Sequence, residues 1–226
     1  FRGQTDPCWP LMPKAGRAPY QLREAQRFNA WRTCAAEHKD GAGWSEWEWL
    51  AVAQHHGLAT RLLDWTTNPL VAAFFAVENA SHSGDSIIYA HYVEDIADTR
   101  HSKPPLSIKG ILRWRPSRVA SRLVRQDGLF TIHGPPVADL RKSLPRANQL
   151  REIIVDAGYR QRLLFELNCY GVNRRSLFPD LDGLSQHLNW VEESVDAEGK
   201  FRATLAATPT LPTLKGGGGG GSKTMK

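Results

Sequence analysis

The stretch QHHGLATRLLDWTTNPLVAAFFAVEN, residues 54–79, sets a group of polar side chains in front of an almost wholly apolar segment. TRLLDW is typical of a short buried strand. Asn68-Pro69 is a strong helix start, because Asn68 can cap the helix and the proline nitrogen needs no hydrogen bond at the first position. The residues that follow, up to about Asn79, are apolar on every side, which predicts a helix enclosed by other elements. We therefore expect this helix to hold the polar strand against a cleft.

Helical patterns precede this stretch. Residues 20–38 place apolar side chains at helical spacing, which predicts an amphipathic helix. Ser45 followed by Glu48 is a capping-box pattern, because each side chain can bind a free backbone N–H of the first turn. We therefore predict a second helix from about Glu46 to His56.

Strands are concentrated after residue 60. β-Branched and aromatic residues predict strands in SIIYAHYV (86–93), GLFTIH (128–133) and LREIIVDA (150–157). The remaining segments are predicted as a loop over 94–116, a short helix over 117–125, and helices in YRQRLLFELNCYG (159–171) and FPDLDGLSQHLNW (178–190). This mixture predicts an α+β fold.

Composition is ordinary for a folded protein. The 226 residues are 41% hydrophobic and 23% charged, and no apolar run approaches the ~20 residues that a membrane span requires. The three cysteines are widely spaced and form no CxxC pair, so they predict neither a disulfide framework nor a zinc site. We expect a reduced, cytoplasmic protein with no membrane partner.

The net charge of +6 points to anionic partners. Arginines cluster in RWRPSRVASRLVR (113–125) and in YRQR (159–162). Such clusters favour the phosphates of a nucleotide, a nucleic acid or an acidic protein surface. A solvated surface that keeps the protein in solution is the alternative.

Four segments together resemble the FRG-domain family, which is named for its Phe-Arg-Gly motif. In chain order they are FRGQTD (1–6), WEWLAVAQHHGLATRLLDWTTNPLVAAFFAVEN (47–79), RLVRQDGLFTIHGPP (122–136) and YGVNRRSLFPDLDGLSQHL (170–188). The resemblance implies a single globular FRG domain over residues 1–190. A C-terminal extension would then cover 191–214, and a flexible glycine-rich tail 215–226.

A weaker resemblance is to the ADP-ribosyltransferase superfamily. FRG is similar to the first arginine strand of those enzymes, and LLDWTTNPLVAAFFAVEN is similar to their Ser-Thr-Ser strand with its apolar helix. RQDGLFTIHG (125–134) occupies the position of the catalytic glutamate motif but contains no glutamate. The resemblance implies an ADP-ribosyltransferase-like mixed sheet core with flanking helices, and NAD as a substrate.

The same resemblance implies roles for particular residues. The catalytic candidates are Asp64, His55 and Gln126. The candidates for dinucleotide binding are Arg2, Gly3, Thr66 and His133. No residue is assigned to a metal.

Side-chain chemistry fits these roles. The planar guanidinium of Arg2 suits phosphate, and a histidine can bind a ribose hydroxyl or move a proton. A carboxylate near the ribose stabilises the positive charge that develops as nicotinamide leaves. Gln126 cannot supply that charge, which leaves Asp64 or Asp127. The structural alternative for Asp64 is bracing of the Asn68-Pro69 turn or a buried ion pair.

Three functions stay open at this point. The first is an enzyme or effector, an ADP-ribosyltransferase or NAD glycohydrolase, whose acceptor is an unknown protein or nucleic acid. The second is a catalytically inactive module that binds a nucleotide or nucleic acid. The third is a metal-dependent nuclease that uses Asp64, His55 and Asp180, although Asp180 is better explained as a helix cap.

Overall fold

The computed structural model describes residues 1–38, 43–92, 103–116, 125–143, 150–196 and 201–202. Six strands form two three-stranded antiparallel sheets with the orders β1-β3-β6 and β2-β5-β4. The strands are β1 (Arg2–Gln4), β2 (Leu62–Thr66), β3 (Ser86–His91), β4 (Gly110–Trp114), β5 (Gly128–Gly134) and β6 (Leu150–Val155). Together with the helices, they confirm the α+β prediction.

Of the helices in the described residues, five lie in segments that the sequence predicts as helical, and two short ones, Leu140–Ser143 and Arg174–Leu177, were not predicted. The helices are α1 (Glu24–Ala35), α2 (Glu46–His55), α3 (Pro69–Val77), α4 (Leu140–Ser143), α5 (Arg160–Cys169), α6 (Arg174–Leu177) and α7 (Leu181–Ser194). Short 3-10 turns occur at Lys14–Gly16, Pro105–Ser107 and Ala157–Tyr159. The capping box is present, because the Ser45 hydroxyl accepts from the Glu48 N–H and the Glu48 carboxylate accepts from the Ser45 N–H.

The described elements pack in four layers. Helices α1 and α2 cover one face of the β2-β5-β4 sheet, where Phe28 and Leu50 meet Phe130. The other face of that sheet packs on the β1-β3-β6 sheet, with Trp65 against Tyr89. Helices α3 and α5 cover the outer face of the β1-β3-β6 sheet in a further apolar cluster. The apolar cores therefore lie between consecutive layers.

Helix α3 is buried as its sequence predicts. The Asn68 side chain accepts from the Leu70 N–H at 2.9 Å, and Pro69 is the first helical residue. Strand β1 lies so close to α3 that a Cβ on Gly3 would be 1.9 Å from the Ala72 carbonyl oxygen. Glycine is therefore required at this position for packing of the strand against the helix.

The two sheets are joined at their edge strands β1 and β2. The backbone N–H of Thr66 donates to the Phe1 carbonyl at 2.8 Å, and the Phe1 nitrogen lies 2.6 Å from the Thr66 carbonyl. A guanidinium nitrogen of Arg2, Nη1, also donates to the Asp64 carbonyl at 2.8 Å. The motif residues of β1 and the polar residues of β2 are thus brought together.

Two predictions need comment. The loop predicted over 94–116 contains strand β4, which is an error of the prediction. Of the helix predicted over 117–125, only Arg125 lies within the described residues, and the extension and tail lie largely outside them. The domain boundaries stay a prediction. Within the described ranges, no helix is both long and apolar enough to cross a bilayer.

Candidate functional site

A cleft of about 440 Å³ opens where β1 and β2 meet. Its walls are formed by β1 and the loop after it, the end of α2, strand β2, helix α3 and the region at the start of β5. Its lining is Phe1, Arg2, Gly3, Gln4, Thr5, Trp9, Arg17, Gln54, His55, Gly57, Asp64, Trp65, Thr66, Phe75, Gln126 and Phe130. Six of the seven predicted site residues therefore line one cleft, although they span positions 2 to 126.

Asp64 is the exposed residue of an otherwise buried strand. Its Oδ2 accepts from the Gln54 side-chain amide at 2.8 Å, and the Gln54 Oε1 accepts from the Thr60 hydroxyl at 2.6 Å. The Thr60 hydroxyl therefore fixes the orientation of the Gln54 amide, and that amide in turn orients the carboxylate. No donor to the Asp64 Oδ1 is found in the described part of the chain.

The structural alternative for Asp64 is wrong. The turn before α3 is braced by the Thr66 hydroxyl, which accepts from the Asn68 N–H at 3.0 Å. Asp64 itself is exposed, and no ion pair between it and a described residue is present. Its carboxylate is thus available in the cleft, whereas the hydroxyl of buried Thr66 is already used by the turn.

Arg2 places a half-buried guanidinium in the cleft. Its Nη1 is bound to the Asp64 carbonyl, while its Nε is buried and finds no acceptor among the residues described. Burial lowers the pKa of Arg2, and the nearby charge of Arg17 lowers it further, while Asp64 acts in the opposite direction. The cation is held at an energetic cost that an anionic ligand would relieve.

His55 and Gln126 complete the polar lining. His55 is the last residue of α2, and its ring meets that of His56 edge-on with centroids 4.9 Å apart. The Gln126 side-chain amide donates to the Leu177 carbonyl at 3.2 Å. Gln126 is thus anchored to α6 through its nitrogen, and no bond from a described donor to its amide oxygen is found.

His133 does not line the cleft, contrary to expectation. Strand β5 is the central strand of its sheet, and the side chain of His133 is fully buried between the two sheets. Its Nδ1 donates to the Ala138 carbonyl at 3.0 Å, and its Nε2 lies 3.0 Å from the Thr131 hydroxyl. Burial lowers the pKa of His133 to about 4, so the ring is neutral near pH 7.

Asp180 also lies away from the cleft. Its side chain accepts from the Gly183 N–H at 2.6 Å and caps α7, as its sequence context suggests. In the ranges that the structure describes, no group of three or more His, Cys, Asp or Glu residues is placed to hold a metal ion. The nuclease hypothesis, which needs Asp180 beside Asp64 and His55, gains no support from the geometry.

The cleft residues that sequence reasoning about the site missed include Gln54 and Arg17. Gln54 precedes His55 in the quoted stretch, so it could have been included with its neighbour. Arg17 follows a 3-10 turn in an irregular loop, where no periodicity indicates which way a side chain faces. Its position depends on long-range packing that local sequence does not encode.

A comparison with protein families gives a match over the part of the chain that contains β1 and β2. The fold and the site define an α+β protein with a polar cleft at the junction of β1 and β2. The family model of the FRG domain matches residues 1–85 of the chain. That match includes the Phe-Arg-Gly motif and the 54–79 stretch, and it confirms the FRG-domain resemblance there. Neither a curated protein nor a solved structure matches the chain.

Proposed function

We propose that the cleft binds NAD as a substrate and that the protein displaces nicotinamide at the anomeric carbon of the attached ribose. The observation that carries this proposal is the presence of the Arg2 cation and the exposed Asp64 carboxylate in one cleft. The first suits the phosphates of the dinucleotide, and the second suits the positive charge that develops on the ribose.

The order of the elements also supports this function. The arginine strand β1 is followed, after helices α1 and α2, by strand β2 with Thr66, then by a buried helix and another strand, in the order that the ADP-ribosyltransferase resemblance implies. Gln126 and Asp127 immediately precede β5, at the position of the glutamate motif. The cleft further contains Trp9, which is 44% exposed and offers a face on which a nicotinamide or adenine ring can stack.

The proposed reaction is a nucleophilic displacement. The bond between the ribose C1′ and the nicotinamide nitrogen breaks, and its electron pair stays with nicotinamide. A water or acceptor oxygen or nitrogen bonds to C1′ and loses a proton to solvent or to a base such as His55. Asp64 stabilises the cationic ribose in the transition state, because its second oxygen faces no competing donor from the described residues.

The test is Asp64→Asn, with release of nicotinamide from NAD as the measured quantity. We expect turnover to fall by about 100-fold or more, as when one electrostatic contact to a transition state is removed. The melting temperature and the affinity for NAD should change little, because Asp64 is exposed and its partner Gln54 can bond to an asparagine. Asp182→Asn, an exposed carboxylate on α7, is the matched control and should keep full turnover.

The outcomes separate the candidates. Full turnover by a folded Asp64→Asn variant would remove Asp64 from the reaction, and Asp127→Asn would then test the other carboxylate. Absence of nicotinamide release from the unaltered protein, with and without cell extract, would overturn the enzymatic proposal.

A second candidate is a binding module without catalysis. It is favoured by the lack of a glutamate before β5 and by the commitment of the Gln126 nitrogen to Leu177. Tight binding of ADP-ribose without any release of nicotinamide from NAD would establish this candidate over the first.

A further inference from the structure

A second arginine, Arg17, shares the cleft with Arg2. Arg17 is half-buried and follows the 3-10 turn Lys14–Gly16. Its Nη2 donates to the Met12 carbonyl at 3.0 Å and more weakly to the Pro10 carbonyl at 3.4 Å. These bonds fix the guanidinium at the cleft wall but supply no negative charge.

Neither cleft arginine is neutralised by a carboxylate from the described residues. The ion pairs that the structure describes use Arg32, Arg61, Arg141, Arg162 and Arg174. The only bonds found for Arg2 and Arg17 in the described part of the chain go to backbone carbonyls. In addition, the Nε atoms of both are buried with no acceptor from the described residues.

The two cations also disfavour each other. Burial lowers the pKa of both arginines, and the charge of Arg17 lowers the pKa of Arg2 further, while the charge of Asp64 raises the pKa of Arg2 by more than Arg17 lowers it. Two like charges in a partly desolvated cleft repel more strongly than they would in water. A ligand with two adjacent negative groups in the cleft would cancel this repulsion.

We infer that Arg2 and Arg17 together form a subsite for a diphosphate group, and that Arg17 makes the cleft select diphosphates over monophosphates. The inference rests on the proposed function for its choice of a dinucleotide, but it does not require catalysis. A guanidinium binds phosphate through two parallel N–H bonds, so two of them match two linked phosphoryl groups. The diphosphate of NAD, ADP-ribose or ADP meets this requirement, and AMP does not.

The experiment compares ADP, AMP and inorganic pyrophosphate by titration calorimetry at fixed salt. For the unaltered protein we expect ADP to bind about 10- to 100-fold more tightly than AMP, since a hydrogen-bonded charge pair has that effect. Pyrophosphate should displace ADP. This comparison needs no variant, so it does not depend on whether a substitution folds.

Variants then assign the preference to Arg17. In Arg17→Gln, ADP affinity should fall to near that of AMP, while AMP affinity should change less than about threefold, because Arg2 still binds one phosphate. Arg17→Lys keeps the charge but loses the planar fork, so its ADP affinity should lie between the two. Arg175→Gln removes an exposed arginine on α6, outside the cleft, and should bind ADP as the unaltered protein does.

Several results would overturn the inference. These are equal affinities for ADP and AMP, folded Arg17 variants that keep the preference, and tighter binding of a short single-stranded oligonucleotide than of ADP. The proposed reaction is judged separately. A preference for ADP over AMP without nicotinamide release would reject the proposed reaction and support the diphosphate subsite. Nicotinamide release without a preference for ADP would support the reaction and reject the subsite.

Discussion

Two arginines beside the edge strands, Arg61 and Arg2, have opposite electrostatic surroundings. Arg61 precedes β2 and binds the carboxylate of Glu24 on α1 through two nitrogens, at 2.7 and 3.0 Å. Arg2 lies on β1, and its described bond goes to a backbone carbonyl. Arg61 is buried and Arg2 is half-buried, but of the two only Arg61 is paired with a carboxylate of a described residue. We therefore expect a ligand to supply the counter-ion of Arg2.

The two regions therefore serve different purposes. The Glu24–Arg61 pair, with side chains 10% and 11% exposed, links α1 to the sheet that α1 covers, and a further bond joins Arg61 to the Leu106 carbonyl. The cleft pair Arg2 and Arg17 lies beside the Asp64 carboxylate instead. Substitutions in the first region should lower stability, and substitutions in the second should change ligand binding.

The largest expected effect is at the neutralised arginine. Glu24→Ala leaves Arg61 buried without its counter-ion, so we expect the free energy of unfolding to fall by about 3–5 kcal/mol. Urea denaturation of the variant measures this loss. Glu46→Ala is the matched control, since it breaks the pair of Arg32 with Glu46, whose side chains are 36% and 43% exposed, and should cost less than about 1 kcal/mol. Equal losses in the two variants would contradict the assigned difference in burial.

The sequence predicted the elements whose signals are local. Asn68-Pro69 begins α3, Ser45 with Glu48 caps α2, and Gly171 follows α5 with a positive φ of 79°. Each of these residues acts on the backbone within a few positions, so its effect does not depend on the rest of the fold. Strand β4 was missed, because it lies in a segment with prolines at both ends and pairs with β5, which follows it in the sequence.

The site was predicted only where a motif marked it. Arg2 and Asp64 belong to quoted motifs, and the structure brings them together. The surroundings of Arg17 and His133 depend on which face of a strand or loop meets the other sheet, and that follows from packing between distant segments. Alternation along β5 alone does not tell whether His133 faces the cleft or the space between the sheets.

The next largest expected effect on stability is at His133, a buried histidine close to Arg2. The pKa of His133 is lowered from 6.5 to about 4, first by burial, with Arg2 and His91 acting in the same direction, and Asp139 and the bond to Ala138 opposing it. Because the folded pKa lies below the unfolded one, the contribution to stability is complete above pH 6.5 and is lost as the pH falls toward 4. The loss should reach about 3 kcal/mol, from about 1.4 kcal/mol for each unit of pKa.

His133→Gln tests this assignment, since the amide keeps a donor and an acceptor but does not titrate in this range. The fall in the free energy of unfolding between pH 6.5 and 4 should become clearly smaller in this variant. His38→Gln, at an exposed position after α1, is the control and should keep the pH dependence of the unaltered protein. A pH dependence that is unchanged in His133→Gln would mean that other groups cause it, among them His91, whose pKa burial also lowers to about 4.

The smallest expected effect on stability is at Arg17. In the absence of ligand, Arg17→Gln removes bonds to two carbonyls at partly exposed residues, but it also removes the repulsion between Arg17 and Arg2. These terms oppose each other, so the free energy of unfolding should change by less than about 1 kcal/mol. With saturating ADP the unaltered protein should be more stable than Arg17→Gln. A ligand that binds only the folded state stabilises it in proportion to the logarithm of the ligand's affinity, and the variant binds ADP less tightly. Thermal melting with and without ADP measures both quantities. A loss of several kcal/mol without ligand, similar to that of Glu24→Ala, would make Arg17 a structural arginine like Arg61 and remove the distinction between the two regions.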